Sequence, residues 1–204
     1  MITYIILAVT IITSVMAMEN HSLKGKMMFN PYAINHHREW YRFFSHGLIH
    51  ADWFHLIFNM LALYMFGKDV EAGYRYYFEA KGILFFLILY IGGLAMSSLY
   101  SYERHKENAY YNSLGASGAV SAVIFAYVLL FPTSRIGFMF LPVQLPAYIW
   151  GFVYIGIEYY LSMRGNTGIA HDAHIWGAVY GLLLTILLKP HLVQIFLDQI
   201  SGRI

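Results

Sequence analysis

The chain has 204 residues, 59% of them hydrophobic and only 12% charged, with a formal net charge of +2. This balance, with a positive mean hydropathy, excludes an ordinary water-facing surface, and so small a charge gives no basis for a nucleic-acid partner. The absence of cysteine excludes both a disulfide framework and a thiol nucleophile.

The solvent is therefore a bilayer, which a helix of roughly 20 apolar residues can cross. The first such run covers residues 2–18. It ends in Val15-Met16-Ala17, which has the small residues of a signal-peptidase site, but no basic residue precedes it and it reads as a retained span. Residues 19–46 form a long first loop with an Asn30-Pro31 turn signal. Its aromatics, among them Phe29, Tyr32, Trp40 and Phe43, are of the kind that prefers the membrane interface, where the loop is expected to lie.

The second run, near 47–66, is the least clean because it carries His50, Asp52, His55 and Asn59. Polar groups at membrane depth are functional candidates by default. A helix carrying His46 through Asn59 sets His55 one turn from Asn59, both able to donate hydrogen bonds, and His46 one turn from His50. Imidazoles at that spacing suit zinc, and His171 and His174 are further donors. No His-Glu-x-x-His arrangement is present, however, and Asp52 is off the register, so no metal is expected. A structural role, tying helices together, stays open for this histidine set.

A third run covers 82–99, and a fourth, near 114–131, begins with Leu114-Gly115-Ala116-Ser117-Gly118. Gly115 and Gly118 remove side chains on either side of Ser117, so that a reacting carbonyl can reach its oxygen. Small residues at this density also make close transmembrane contacts, so this segment alone leaves packing and an accessible nucleophile both open. The fifth run, 145–163, holds Glu158, either a holder of water or a snorkelling charge near a helix end. In the sixth, 169–188, His174 precedes Gly177 and Gly181, which admit a neighbouring helix. If that neighbour is the Ser117 helix, His174 comes within reach of the hydroxyl, and an activated serine follows. His171 precedes the expected helix start and reads as exposed.

These continuous runs argue against a β-barrel, and no internal repeat supports an inverted-repeat transporter. Lys and Arg divide six against seven between the two sides, so charge does not orient the chain. The expected fold is all-α, one domain over 1–204 with six transmembrane helices.

The residues from Tyr41-Arg42 to Gly181 resemble the rhomboid intramembrane serine proteases. The likeness rests on His46-x-x-x-His50-x-x-x-x-His55-x-x-x-Asn59, Gly67 to Glu71, Gly115-Ala-Ser-Gly118 and Ala173-His174-x-x-Gly177-x-x-x-Gly181, in that order and spacing. The resemblance implies a six-helix rhomboid bundle with a Ser117 and His174 dyad and no third acid. It implies an oxyanion hole from the His55 and Asn59 side chains and the Ser117 backbone N–H. It further implies a first loop in the membrane surface, substrates that are themselves transmembrane helices, and no cofactor. Hydrolysis inside a membrane needs water, so a polar cavity is expected, with His50, Asn59 and Glu158 as candidates to hold it. Arg42 and Glu71 follow the family pattern and read as a loop anchor and a helix-end charge.

One position departs from the pattern. Many rhomboids carry, four residues after the nucleophile, an aromatic that packs on the catalytic histidine. Here it is Ser121, and the space is left to a neighbouring side chain or water. Ser121→Tyr is expected to be tolerated unless another ring already fills that space. The alternative within the fold is an inactive rhomboid-like binder of membrane proteins, which usually lacks the serine, the histidine or both. A transporter or channel would spread ionisable groups along several helices, whereas here they cluster at one end. With nothing soluble before the first span or after the last, the expected location is a bacterial plasma (inner) membrane, an organelle membrane being the alternative.

Overall fold

Inside a bilayer the backbone has no water to bond, so each apolar run closes its hydrogen bonds within itself as a helix. A computed structural model describes residues 1–137, 143–164 and 170–203. Helix α1 (Ile2–Glu19) is followed by three short helices, α2 (His21–Met27), α3 (Pro31–His37) and α4 (Arg42–Ser45). Then come α5 (Trp53–Phe78), α6 (Gly82–His105) and α7 (Ser117–Leu130). A small antiparallel ribbon of β1 (Arg135–Gly137) and β2 (Gln144–Pro146) leads to α8 (Ala147–Arg164), α9 (His171–Leu188) and α10 (His191–Ile200).

Helices α1 and α5 to α9 occupy the places of the six apolar runs. Three stretches, Ile2–Glu19, Trp53–His105 and His171–Leu188, are long and apolar enough to cross a membrane by length and hydropathy. The surface is apolar: Ile5, Ile12, Phe54, Phe152 and Leu187 are all exposed, while Thr3, Thr10 and Ser14 of α1 are buried. This inverts the usual partition and identifies lipid as the medium around the bundle. The ribbon and α10 were not anticipated from the sequence. The three-residue strands are too short to show a period, whereas α10 behind Lys189-Pro190 is strongly amphipathic and its signal is present in the sequence.

Helix α7 is the centre, with every residue from Gly118 to Ala126 buried against α5, α6, α8 and α9. Its closest neighbour is α9, and glycine makes the approach possible. A methyl group added at Gly177 would collide with the Gly118 carbonyl oxygen, and one at Gly181 with that of Ala122. At 14 residues α7 is about 21 Å long, less than a hydrocarbon core of about 30 Å, so at least one end lies inside the slab.

The first loop packs its own small core of Phe29, Ile34 and Phe43 against Tyr102 and Tyr111. Arg42 anchors it, donating from Nη1 to the carbonyls of Gly25 and Met28 at 2.9 and 2.7 Å. Glu71 does not sit at a helix end. It is fully buried in mid-α5, where it accepts from the backbone N–H groups of Ile2 and Thr3 at 3.0 and 2.9 Å. A carboxylate thus caps the free amides of the first turn of α1.

Candidate active site

The segment before α7 is irregular backbone beside a membrane helix, and such backbone persists only where protein or a wet cavity satisfies it. Two histidines supply that satisfaction. The His46 carbonyl accepts from Gly115 N–H at 2.9 Å, and His50 Nε2 accepts from Ala116 N–H at 3.3 Å. With Nε2 accepting, His50 carries its proton on Nδ1, which lies 3.3 Å from Ser14 Oγ of α1. Phe29 and Ser113 exchange two backbone hydrogen bonds at 2.9 and 3.0 Å and close the strap from the other side.

Neither His46 nor His50 is on α5, contrary to the helix expected from their spacing. Asp52 caps α5 by accepting from His55 N–H at 2.9 Å, so the helix starts at Trp53. His46 lies in a short 3-10 turn and His50 in the extended stretch after it. Fully buried, His50 is a brace for the Ser117 loop rather than a holder of cavity water.

Gly115 has φ +118°, a conformation that side chains resist, and a methyl group there would stand 2.7 Å from the His55 ring. Only glycine serves. The next two residues bring the chain to Ser117, the first of α7 and half-buried. First-turn amides have no intrahelical acceptor, so the Ser117 N–H sits at the positive end of a helix dipole.

His55 and Asn59 face the same place from α5. His55 Nδ1 accepts from Ala51 N–H at 3.4 Å, a long contact that leaves the ring proton on Nε2, beside Gly115. Asn59 Nδ2 donates to the His55 carbonyl at 2.9 Å and has a second N–H to offer. His174, in the first turns of α9, completes the group. Ser117, His174, His55 and Asn59 line one cavity of about 630 Å³ together with Asp52 and Ser113. Its histidine, asparagine, aspartate and serine side chains offer partners to water within a largely apolar lining, each molecule taking about 30 Å³.

Two residues depart from expectation here. Glu158 does not snorkel: it is buried and turned inward from α8. His171 is not exposed either, being the first residue of α9 and buried. Glu158 Oε2 lies 2.6 Å from His171 Nδ1 and Oε1 lies 3.0 Å from His174 Nδ1. The second contact is at ion-pair distance but off the axis of the ring N–H. A carboxylate therefore stands behind His174, where the family resemblance implies none. These three side chains also approach the composition of a metal site, with ligand atoms within 4.8 Å of one another. An intramembrane acid and two histidines three residues apart were the available signals, but their meeting joins two helices and no local pattern announces it.

The space beside Ser121 is filled by Tyr154 of α8, whose hydroxyl lies 2.7 Å from Ser121 Oγ. The ring beside Ser121 comes from α8 and stacks on Trp150, and with that space occupied Ser121→Tyr is not expected to be tolerated. A second ring at a position only 2% exposed will overpack the core, at a cost of about 1–3 kcal/mol. The melting temperature in detergent and the turnover are both expected to fall. Combining Ser121→Tyr with Tyr154→Ala is expected to recover part of the stability.

A family model described as "Rhomboid domain" matches residues 37–191. The chain is similar to "RHOMBOID-like protein 12, mitochondrial" of Arabidopsis thaliana, at 28% identity over 144 residues, 63% of this chain and 40% of that protein. It is also similar to "Putative rhomboid protease YdcA" of Bacillus subtilis, at 27% identity over 155 residues, 73% of this chain and 67% of that one.

Proposed function

The chain belongs to the rhomboid family, and on that premise we propose that it is an intramembrane serine endopeptidase that cleaves transmembrane segments of other membrane proteins. The observation that carries this reading is the convergence of Ser117, His174, His55 and Asn59 on one cavity at the start of α7. Ser117 Oγ attacks the scissile carbonyl while His174 Nε2 takes its proton. Charge then develops on the carbonyl oxygen. The His55 Nε2–H, an Asn59 Nδ2–H and the Ser117 backbone N–H are the donors available to it. His174 returns the proton to the leaving amine, and water from the cavity releases the acyl group. No metal enters any of these steps.

A regular substrate helix shields its carbonyls with its own hydrogen bonds, so it must unwind locally before attack. Phe54 and Phe58 give the cavity an apolar rim toward lipid, which suits an incoming apolar segment. We place the enzyme in a bacterial plasma membrane, with an organelle membrane as the alternative in view of the mitochondrial relative.

The test is reconstitution of the purified protein in liposomes with a single-span substrate, with the cut mapped by product mass. Cleavage inside the apolar segment is expected. Either His55→Ala or Asn59→Ala is expected to lower turnover by about 100-fold to 1000-fold, the usual cost of one oxyanion donor. Binding of the substrate without any cleavage would instead identify an inactive membrane-protein binder.

A further inference from the structure

Both carboxylate oxygens of Glu158 are engaged, one by each of two histidines on the next helix. We propose that Glu158 is the positioning acid of a Ser117–His174–Glu158 triad, and that His171 holds the carboxylate in place. The inference rests on the reading of Ser117 as nucleophile and His174 as base.

A neutral imidazole has one proton and two nitrogens to hold it. With Glu158 Oε1 3.0 Å from His174 Nδ1, the tautomer favoured is the one with the proton on Nδ1. Nε2 is then left as the acceptor that Ser117 needs. In the next step Nε2 takes the serine proton and an imidazolium forms within the membrane protein, where an uncompensated charge is costly. The carboxylate behind the ring offsets that charge. The contact is off the axis of the ring N–H, and catalytic hydrogen bonds often tighten only in the substrate complex.

A buried carboxylate needs donors of its own, and His171 Nδ1 provides one at 2.6 Å. Helix α8 braces the site twice along one face. Tyr154 bonds Ser121 on α7, and Glu158, one turn further along, meets His171 and His174 on α9. The nucleophile helix and the base helix are thus both tied to the same element.

The competing reading is a metal held by Glu158, His171 and His174. Tetrahedral zinc with bonds of about 2.0–2.1 Å sets its ligand atoms about 3.3 Å apart, so the 2.6 Å contact would have to open. A metal on His174 Nδ1 would also leave the proton on Nε2, where it blocks acceptance from Ser117.

The experiment follows covalent labelling of Ser117 by an activity-directed serine reagent across pH, with the full chain in detergent. Glu158→Gln is expected to slow labelling by up to about 10,000-fold near neutral pH, the loss that follows when the equivalent acid of a serine triad becomes an amide. In liposomes its kcat is expected to fall with KM unchanged. The charged and titratable groups around His174 are Glu158 and Tyr154 from α8, His55 and Asp52 from α5, and His171 and Asp172 on α9, the last 3.9 Å from Arg104 of α6. Removing the Glu158 charge makes protonation of the base less favourable. The acid limb of the pH–rate profile is therefore expected to move to lower pH, which a purely structural role would not produce.

Glu158→Asp keeps the charge but shortens the reach, and about a 10-fold to 100-fold loss is expected. It also decides the matter should Glu158→Gln fail to fold, since a folded Glu158→Asp with the full wild-type rate overturns the proposal. So does a Glu158→Gln protein that labels at the wild-type rate with an unmoved acid limb. Activity lost to a chelator and restored by zinc overturns it in favour of the metal. Failure of the underlying reading looks different: the wild type would not label at Ser117, or Ser117→Ala would label equally well, and both readings would fall together.

Discussion

Ser117→Ala and His174→Ala are each expected to reduce labelling and substrate cleavage by on the order of 10⁴-fold to 10⁶-fold, with little change in melting temperature. A serine hydroxyl is a weak nucleophile without its base, so removing either partner removes the same step. Selectivity for Ser117 follows from its surroundings. Ser113 lines the same cavity but is held by its backbone pairing to Phe29, with no helix dipole behind it. Ser121 is buried and bonded to Tyr154. Neither should be modified. Mass mapping that finds the label on Ser113 in the Ser117→Ala protein would remove the assignment. A large fall in melting temperature would instead mean that the serine holds the α7 start together.

The helices were legible because lipid allows few alternatives, and each apolar block became the helix its length permitted. Gly177 and Gly181 were legible as a close-contact face because their spacing is local to one helix. The start of α5 differs from the one that histidine spacing predicts, although its signal is present in the sequence. Asp52 stands three residues before His55, as an N-cap should, and that cap breaks the His46 to His50 register. The third class of residue was not legible in position at all. Glu158 and His171 belong to different helices, and only the packing of α8 against α9 brings a carboxylate to two imidazoles. The tyrosine beside Ser121 is a similar case. A missing ring on one helix is visible in the sequence, whereas the ring that another helix brings beside Ser121 is a tertiary fact.

The same packing sets the distance between Ser117 and His174, the proposed nucleophile and base, and two glycines control it. Gly177 lies one turn after His174, against Gly118, which directly follows Ser117. Four residues on, Gly181 lies against Ala122. A methyl group at Gly181 would stand 2.6 Å from the carbonyl carbon and Cα of Ala122, and at Gly177 2.9 Å from the Gly118 carbonyl carbon. These neighbours are backbone, so they cannot rotate away and the helices must separate. Gly177→Ala and Gly181→Ala are each expected to cost about 1–3 kcal/mol or more, and the leucine variants are expected not to fold. Any alanine variant that does fold is expected to lose about 100-fold in turnover, the penalty that a misplacement of about 1 Å can carry. Gly156 of α8 is the control, because nothing lies within 4 Å of an added methyl there. Gly156→Ala is expected to keep full activity and to gain up to about 1 kcal/mol from helix propensity alone. Thermal unfolding and cleavage measured side by side decide it. If Gly181→Ala melts and cuts like Gly156→Ala, the close α7 to α9 contact does not set the catalytic distance, and Ser117 and His174 must be held in register by α8 alone.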